Sequence, residues 1–143
     1  MDDDINRTSR VIRLARHLEL ARRDVLAFRE LDSWEYDVLA ALRAAGAPHE
    51  LSPGALLNET LVASGTMTNR IDRLSRRGYV TREPDPADRR GVLVRLTVSG
   101  RKKIDMATAD LATAEALAWQ RLGARKTDQL DAAVEELIAH LES

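Results

Sequence analysis

A chain of 143 residues, 44% apolar and 31% charged, has the make-up of one soluble domain and is long enough to bury a core. Aromatic residues are only 3% of it, so that core must be Leu, Val, Ile and Ala, which suits packed helices better than a sandwich of sheets. The absence of cysteine excludes disulfides, thiolate metal sites and thiol redox switches, and a net charge of −1 gives no overall reason to expect a polyanionic partner.

The opening "MDDDINRTSR" is acidic and polar, unlike a signal peptide, and no apolar run approaches the ~18–20 residues that span a bilayer, so a cytoplasmic protein without membrane contact is expected. The first helix carries Val11, Leu14, Leu18, Ala21, Val25 and Phe28 in steps of three and four, a single apolar seam. A second helix runs from about Trp34 to Ala45, buries Val38, Leu39 and Leu42, and is closed by Gly46 and Pro48. In "LSPGALLNETLV" Ser52 can cap a third helix with Pro53 at its first position. Asn58-Glu59-Thr60 matches a glycosylation acceptor, but a helix is the better reading of so short a match.

A few residues on, "SGTMTNRIDRLSRRG" starts a fourth helix at Ser64 and ends it at Gly78, which can take the left-handed conformation. Two short helices this close together predict a helix-turn-helix. Ile71 and Leu74 face inward, leaving Thr66, Thr68, Asn69, Arg70 and Arg73 to flank or face out. With Ser64 these are either capping residues or side chains that reach base edges. The period then changes to two: "YVTRE" (79–83) and "VLVRLT" (92–97) read as antiparallel strands, with Val92, Val94 and Leu96 on one side.

Between the strands lies "PDPADRRG", a long polar hairpin tip. From Ser64 to Lys103 eleven cations meet four anions, a net of +7 that leaves −8 for the rest of the chain. That segment is a solvated face or an anion-binding surface. A wing entering a narrow minor groove needs cations at its tip, which Arg89 and Arg90 supply. Asp88 is expected to brace an arginine by a charge-assisted pair, and Gly91 to let the chain turn back into the strand. After Thr97, a predicted cap, a long helix carries Ile104, Ala107, Leu111, Ala114 and Ala118. A break near Gly123 precedes a last helix with Leu130, Val134, Leu137 and Leu141 on one face. The terminal seams have no obvious partner in the small central unit and are expected to pack on a second copy.

Enzymatic readings are weak. His17, His49 and His140 fall in three segments with no carboxylates at metal-ligand spacing, Ser99 and Lys102 match S-x-x-K without companion motifs, and no Gly-rich phosphate loop is present. No catalytic residue, metal or cofactor is expected. A winged helix that binds protein or a small molecule, without specific DNA binding, stays open as the alternative.

The run from "LSPGALL" through "SGTMTNRIDRLSRRGYVTREPDPADRRGVLVRLTVSGRK", with its D-P-x-D-R-R-G wing followed by V-x-V-x-L-T-x-x-G, resembles the MarR (multiple antibiotic resistance regulator) family. The resemblance implies a mainly α fold, a winged helix-turn-helix lobe over about residues 34–97 and dimerisation helices over about 5–31 and 98–142. It also implies a homodimeric repressor on a pseudo-palindromic operator in double-stranded DNA. Residues from about Ser64 to Arg77 then form the recognition helix, and Arg90 is the wing-tip arginine. "SWEYDVLAALRAAG" with "SGTMTNRIDRL" is further similar to the urate-responsive branch, which implies an effector site at Asp37, Arg70 and Arg82. That branch also has a tryptophan in an N-terminal helix, and the corresponding helix here has none. Urate and a phenolic compound are thus the candidate effectors.

Overall fold

The computed structural model describes residues 2–60 and 64–143, with Ser64 described in its backbone only. Among the described residues six helices and a small sheet follow in the order α1 (Asp2–Ala27), α2 (Ser33–Ala44), β1 (Glu50–Leu51), α3 (Pro53–Thr60), α4 (Ser64–Arg76), β2 (Val80–Pro84), β3 (Val92–Leu96), α5 (Val98–Leu122) and α6 (Ala124–Leu141). The fold is mainly α with a β-hairpin wing. The hairpin gains a third strand that the sequence does not suggest: β1 pairs antiparallel with β3, giving the order β1-β3-β2. Two residues are too few to display an alternation, so this strand exists only through its partner.

Several boundaries follow from single residues. Ser52 Oγ accepts the Ala55 N–H at 3.1 Å and starts α3. Gly78, at φ 78°, ends the α4 segment in the left-handed region. Thr97 caps α5 by accepting the Gly100 N–H at 2.9 Å, while its hydroxyl donates to the Gly78 carbonyl at 2.7 Å, so one side chain joins the end of the α4 segment to the start of α5. Gly100 is packed so tightly that an added Cβ would lie 2.1 Å from the Tyr79 carbonyl oxygen. The glycine of the T-x-x-G run is therefore a requirement of space.

The core joins Leu26 and Leu31 to Val38, Leu39 and Leu42 of α2, Leu56, Met67, Ile71 and Leu74 of the helix-turn-helix, Val80, Val94 and Leu96 of the sheet, and Ile104, Ala107 and Leu111 of α5. Each such side chain contributes about 1.5–3 kcal/mol by leaving water. The first half of α5 is thus packed into the lobe. Val92, expected on the buried side of its strand, is 39% exposed because it sits at the root of the wing, beyond the core. The α1 seam stays open: Val11 is 60% exposed, and Leu14 and Leu18 also face out. Leu137 and Leu141 of α6 do the same, and that helix buries no residue.

Candidate nucleic-acid interface and effector cavity

Met67, Ile71 and Leu74 fix the inward face of α4. Thr66, Thr68, Asn69 and Arg73 are exposed, Arg70 is half-buried, and the Ser64 side chain lies outside the described residues. Arg76, which the sequence reading does not single out, is also exposed. It stands seven residues beyond Asn69, two turns along the same stripe and opposite Met67 and Ile71, so the helical period alone could have located it.

The arginines on the flank toward α2 are engaged. Arg70 and Arg73 each lie 5.2 Å from the centre of the Trp34 ring, a double cation–π contact. Arg77, just beyond α4, donates to Glu35 Oε2 at 2.5 Å and to the Glu30 carbonyl at 2.8 Å. Glu35 is only 4% exposed and its other oxygen accepts the Asp32 N–H at 3.0 Å, so it caps α2 while holding the far end of the α4 segment.

At the wing, Arg89 and Arg90 are exposed. Asp88 reaches no arginine side chain among the described residues. Its Oδ1 instead accepts the Arg90 backbone N–H at 3.0 Å, as Asp85 Oδ1 accepts that of Ala87 at 2.9 Å. The ion pair expected for Asp88 is replaced by a local turn, because a short aspartate meets its own chain two residues on before any long side chain can compete. Gly91 does not have a positive φ. A Cβ there would lie 3.1 and 3.2 Å from the Cβ atoms of Asp85 and Asp88, so the two turns close over it. Arg82 pairs with Asp72 and thereby ties the root of the wing to the solvent side of α4.

A cavity of about 610 Å³ opens between α1, α2 and α4, walled by Arg16, Arg22 and Arg23 from α1, Trp34 and Asp37 from α2, and Arg70 from α4. Of the three effector residues expected from the resemblance, the structure brings Asp37 and Arg70 together here, while Arg82 lies apart on Asp72. Desolvation raises the Asp37 pKa, opposed by the charges of Arg22 and Arg70. Trp34 and Arg22 are additional wall residues. Trp34 is legible as one turn before Asp37; Arg22 is not, since nothing local relates it to α2. Arg22 donates from Nε and Nη2 to the two oxygens of Glu115 on α5, at 2.8 and 3.1 Å. That hydrogen bond raises the pKa of its guanidinium against the desolvation it suffers.

A helix-turn-helix followed by a hairpin whose turns present two arginines is a winged helix-turn-helix. Residues 30–91 match the MarR family. The regulator PecS of Dickeya dadantii (strain 3937) is 41% identical over 71 residues, 50% of this chain and 43% of that protein. AbsC, a MarR family transcriptional regulator from Streptomyces coelicolor, superposes with a TM-score of 0.87 at 20% identity, covering 99% of this chain and 96% of that one. A mutant MarR from E. coli complexed with operator DNA superposes with a TM-score of 0.83 at 24% identity, over 94% and 96% of the two chains. Residues 30–91 are thus similar to the MarR family, and the chain shares the winged helix-turn-helix fold of the MarR structures on which it superposes. It spans less than half the length of PecS. None of the helices among the described residues is long and apolar enough to cross a membrane.

Proposed function

We propose that the protein is a homodimeric transcriptional repressor that binds a pseudo-palindromic operator in the cytoplasm and is released by a small anionic aromatic effector. The observation that carries the DNA reading is the alignment of two cationic elements. Asn69, Arg73 and Arg76 face solvent on α4, Arg89 and Arg90 are exposed at the wing tip, and the Asp72–Arg82 pair ties the root of that wing to α4. Arginines at the wing and along α4 contact phosphates and supply affinity. Thr66, Thr68 and Asn69 on the first turns of α4 read base edges. The exposed apolar stripes of α1 and α6 supply the dimer contact, so that two lobes sit about one helical turn (~34–36 Å) apart on DNA. The solved complex of the E. coli relative with operator DNA supports the same use of this fold.

The effector reading rests on the cavity. Trp34 offers a stacking face, the four arginines outnumber Asp37 and Glu19, and Arg70 connects the wall to the recognition helix. A planar anion such as urate or a phenolic acid fits this chemistry, and filling the site shifts α4 away from its DNA-bound position. Fluorescence anisotropy with DNA from upstream of the gene, at several salt concentrations and with or without urate, tests both parts. Salt-steep binding that beats scrambled DNA is expected, with release by urate or by a phenolic acid. Salt-insensitive binding, or no site recovered from random-sequence selection, refutes the DNA role and favours a protein- or ligand-binding module.

A further inference from the structure

Along α5 a row of polar contacts fastens α1 and α2. Arg22 and Arg29 form bidentate pairs with Glu115 and Asp110, Tyr36 Oη lies 3.3 Å from Thr108 Oγ1, and Arg43 bonds Asp105 at 2.8 Å. The four residues on the α1–α2 side stand seven apart in sequence. Of these rungs only Arg22 also walls the effector cavity. Its guanidinium lies 5.6 Å from the Tyr36 ring, so it touches the rung two places along as well.

We propose that Arg22 is the exchangeable anion ligand of this cavity: a planar anion stacked on Trp34 takes Arg22 from Glu115, and occupation of the site thereby unfastens α1 from α5. The inference rests on the effector reading of the same cavity and adds its regulation. Arg70 is already held by Trp34, and Arg16 and Arg23 are exposed, where they steer an anion inward rather than grip it. Arg22 presents a guanidinium fork whose two donors now match a carboxylate and would match the edge of a carboxylate or urate ligand equally well. Its pair with Glu115 is roughly a third exposed on both sides, so exchange is not opposed by a deeply buried charge. Behind it lies a second chamber of about 300 Å³ into which Glu19 and Glu115 both face, with Leu18 and Trp119 as apolar walls. Once Arg22 leaves, two carboxylates share that chamber without a cation between them. Their repulsion pushes α5 off α1.

Calorimetric titration of the full chain with urate and with 4-hydroxybenzoate, alongside operator anisotropy on the same samples, tests this. Glu115→Gln removes the competitor, so probe affinity should tighten about 1.5- to 5-fold, the range of a solvent-accessible ion pair, while operator affinity falls. Arg22→Gln should weaken the probes at least about tenfold, as loss of a charged hydrogen-bond donor does, and Arg22→Lys should fall between. Far-UV circular dichroism confirms that each variant is folded. A merely structural Glu115 would leave probe affinity unchanged or reduced in Glu115→Gln. That result, with Arg70→Gln still abolishing binding, overturns the role of Arg22 and leaves the cavity assignment standing. Failure of both probes to bind the unaltered protein overturns both, while operator binding in the same samples keeps the DNA reading separate.

Discussion

Replacement of Glu35 by alanine should be among the most damaging single changes in the lobe, although the residue touches neither the proposed DNA face nor the cavity. Its carboxylate bonds the Arg77 guanidinium at 2.5 Å and the Asp32 N–H at 3.0 Å. A hydrogen bond to a charged group is worth about 1.5–3 kcal/mol and a helix-capping interaction about 0.5–2 kcal/mol. Arg77 is partly exposed and keeps the Glu30 carbonyl and the Tyr79 ring, 4.9 Å away, so the penalty for stranding it is well below that of a fully buried pair. The net expectation for Glu35→Ala is a loss of about 2–3 kcal/mol. In a chain of this size that lowers Tm by about 6–12 °C. Thermal denaturation followed by circular dichroism, at one protein concentration because association shifts Tm, measures it. Glu35→Gln retains the cap acceptor and loses the charge, so it should fall between. A Tm within about 2 °C of wild type for Glu35→Ala, equivalent to well under 1 kcal/mol, would mean that Arg77 rehydrates freely and that the clamp on the end of α4 is ornamental.

Arg90→Ala and Arg76→Ala should each weaken operator binding by about 1–3 kcal/mol, and removal of a phosphate-binding arginine should flatten the salt slope by about one unit; unchanged affinity and slope at both positions would displace the interface from this face. Gly100→Ala should destabilise by about 1–3 kcal/mol or more through overpacking against Tyr79 and Leu96, and a normal denaturant midpoint would contradict the close approach of the Tyr79 carbonyl to α5. Two aspartates titrate with opposite sign. Asp110 is held below the ordinary 3.8 chiefly by its hydrogen bond from Arg29, so its stabilisation is present above that value and is lost as pH falls through the lowered pKa. Asp37 is raised above 3.8 by desolvation, so its neutral form is favoured by folding and that stabilisation is lost as pH rises through the raised pKa. Asp37→Asn should therefore gain stability relative to wild type at pH 7 compared with pH 3, and Asp110→Asn should lose it; the reverse order in denaturant titrations would contradict both environments.

The helices are readable in the sequence because each bears its own periodic apolar stripe and start or stop signals, as with Ser52, Gly78 and Thr97. The wing is readable because the change from period four to period two coincides with a dense cluster of turn residues. Pairings between segments are less so. Strand β1 depends on β3, and the Asp88 turn depends on backbone geometry that a charge count does not reveal. The effector expectation groups Asp37, Arg70 and Arg82, yet Arg82 points to the wing side of α4, where Asp72 takes it. Arg22 enters the cavity from a helix that no local pattern links to α2. Trp34 is in plain view but reads in the sequence only as part of a helix motif; its role comes from two arginines on a distant helix that the fold brings against its ring.

The placement of the indoles gives the molecule two built-in optical probes. The chain has two tryptophans, Trp34 against Arg70 and Arg73 and Trp119 in the groove between α1 and the open apolar side of α5 and α6. One emitter therefore lies where α4 meets α2, and the other where the apolar stripes of the terminal helices stay open. Substituting either with phenylalanine isolates the other. Displacement of α4 and subunit assembly could then be followed separately, in real time and without a dye, in one stopped-flow instrument.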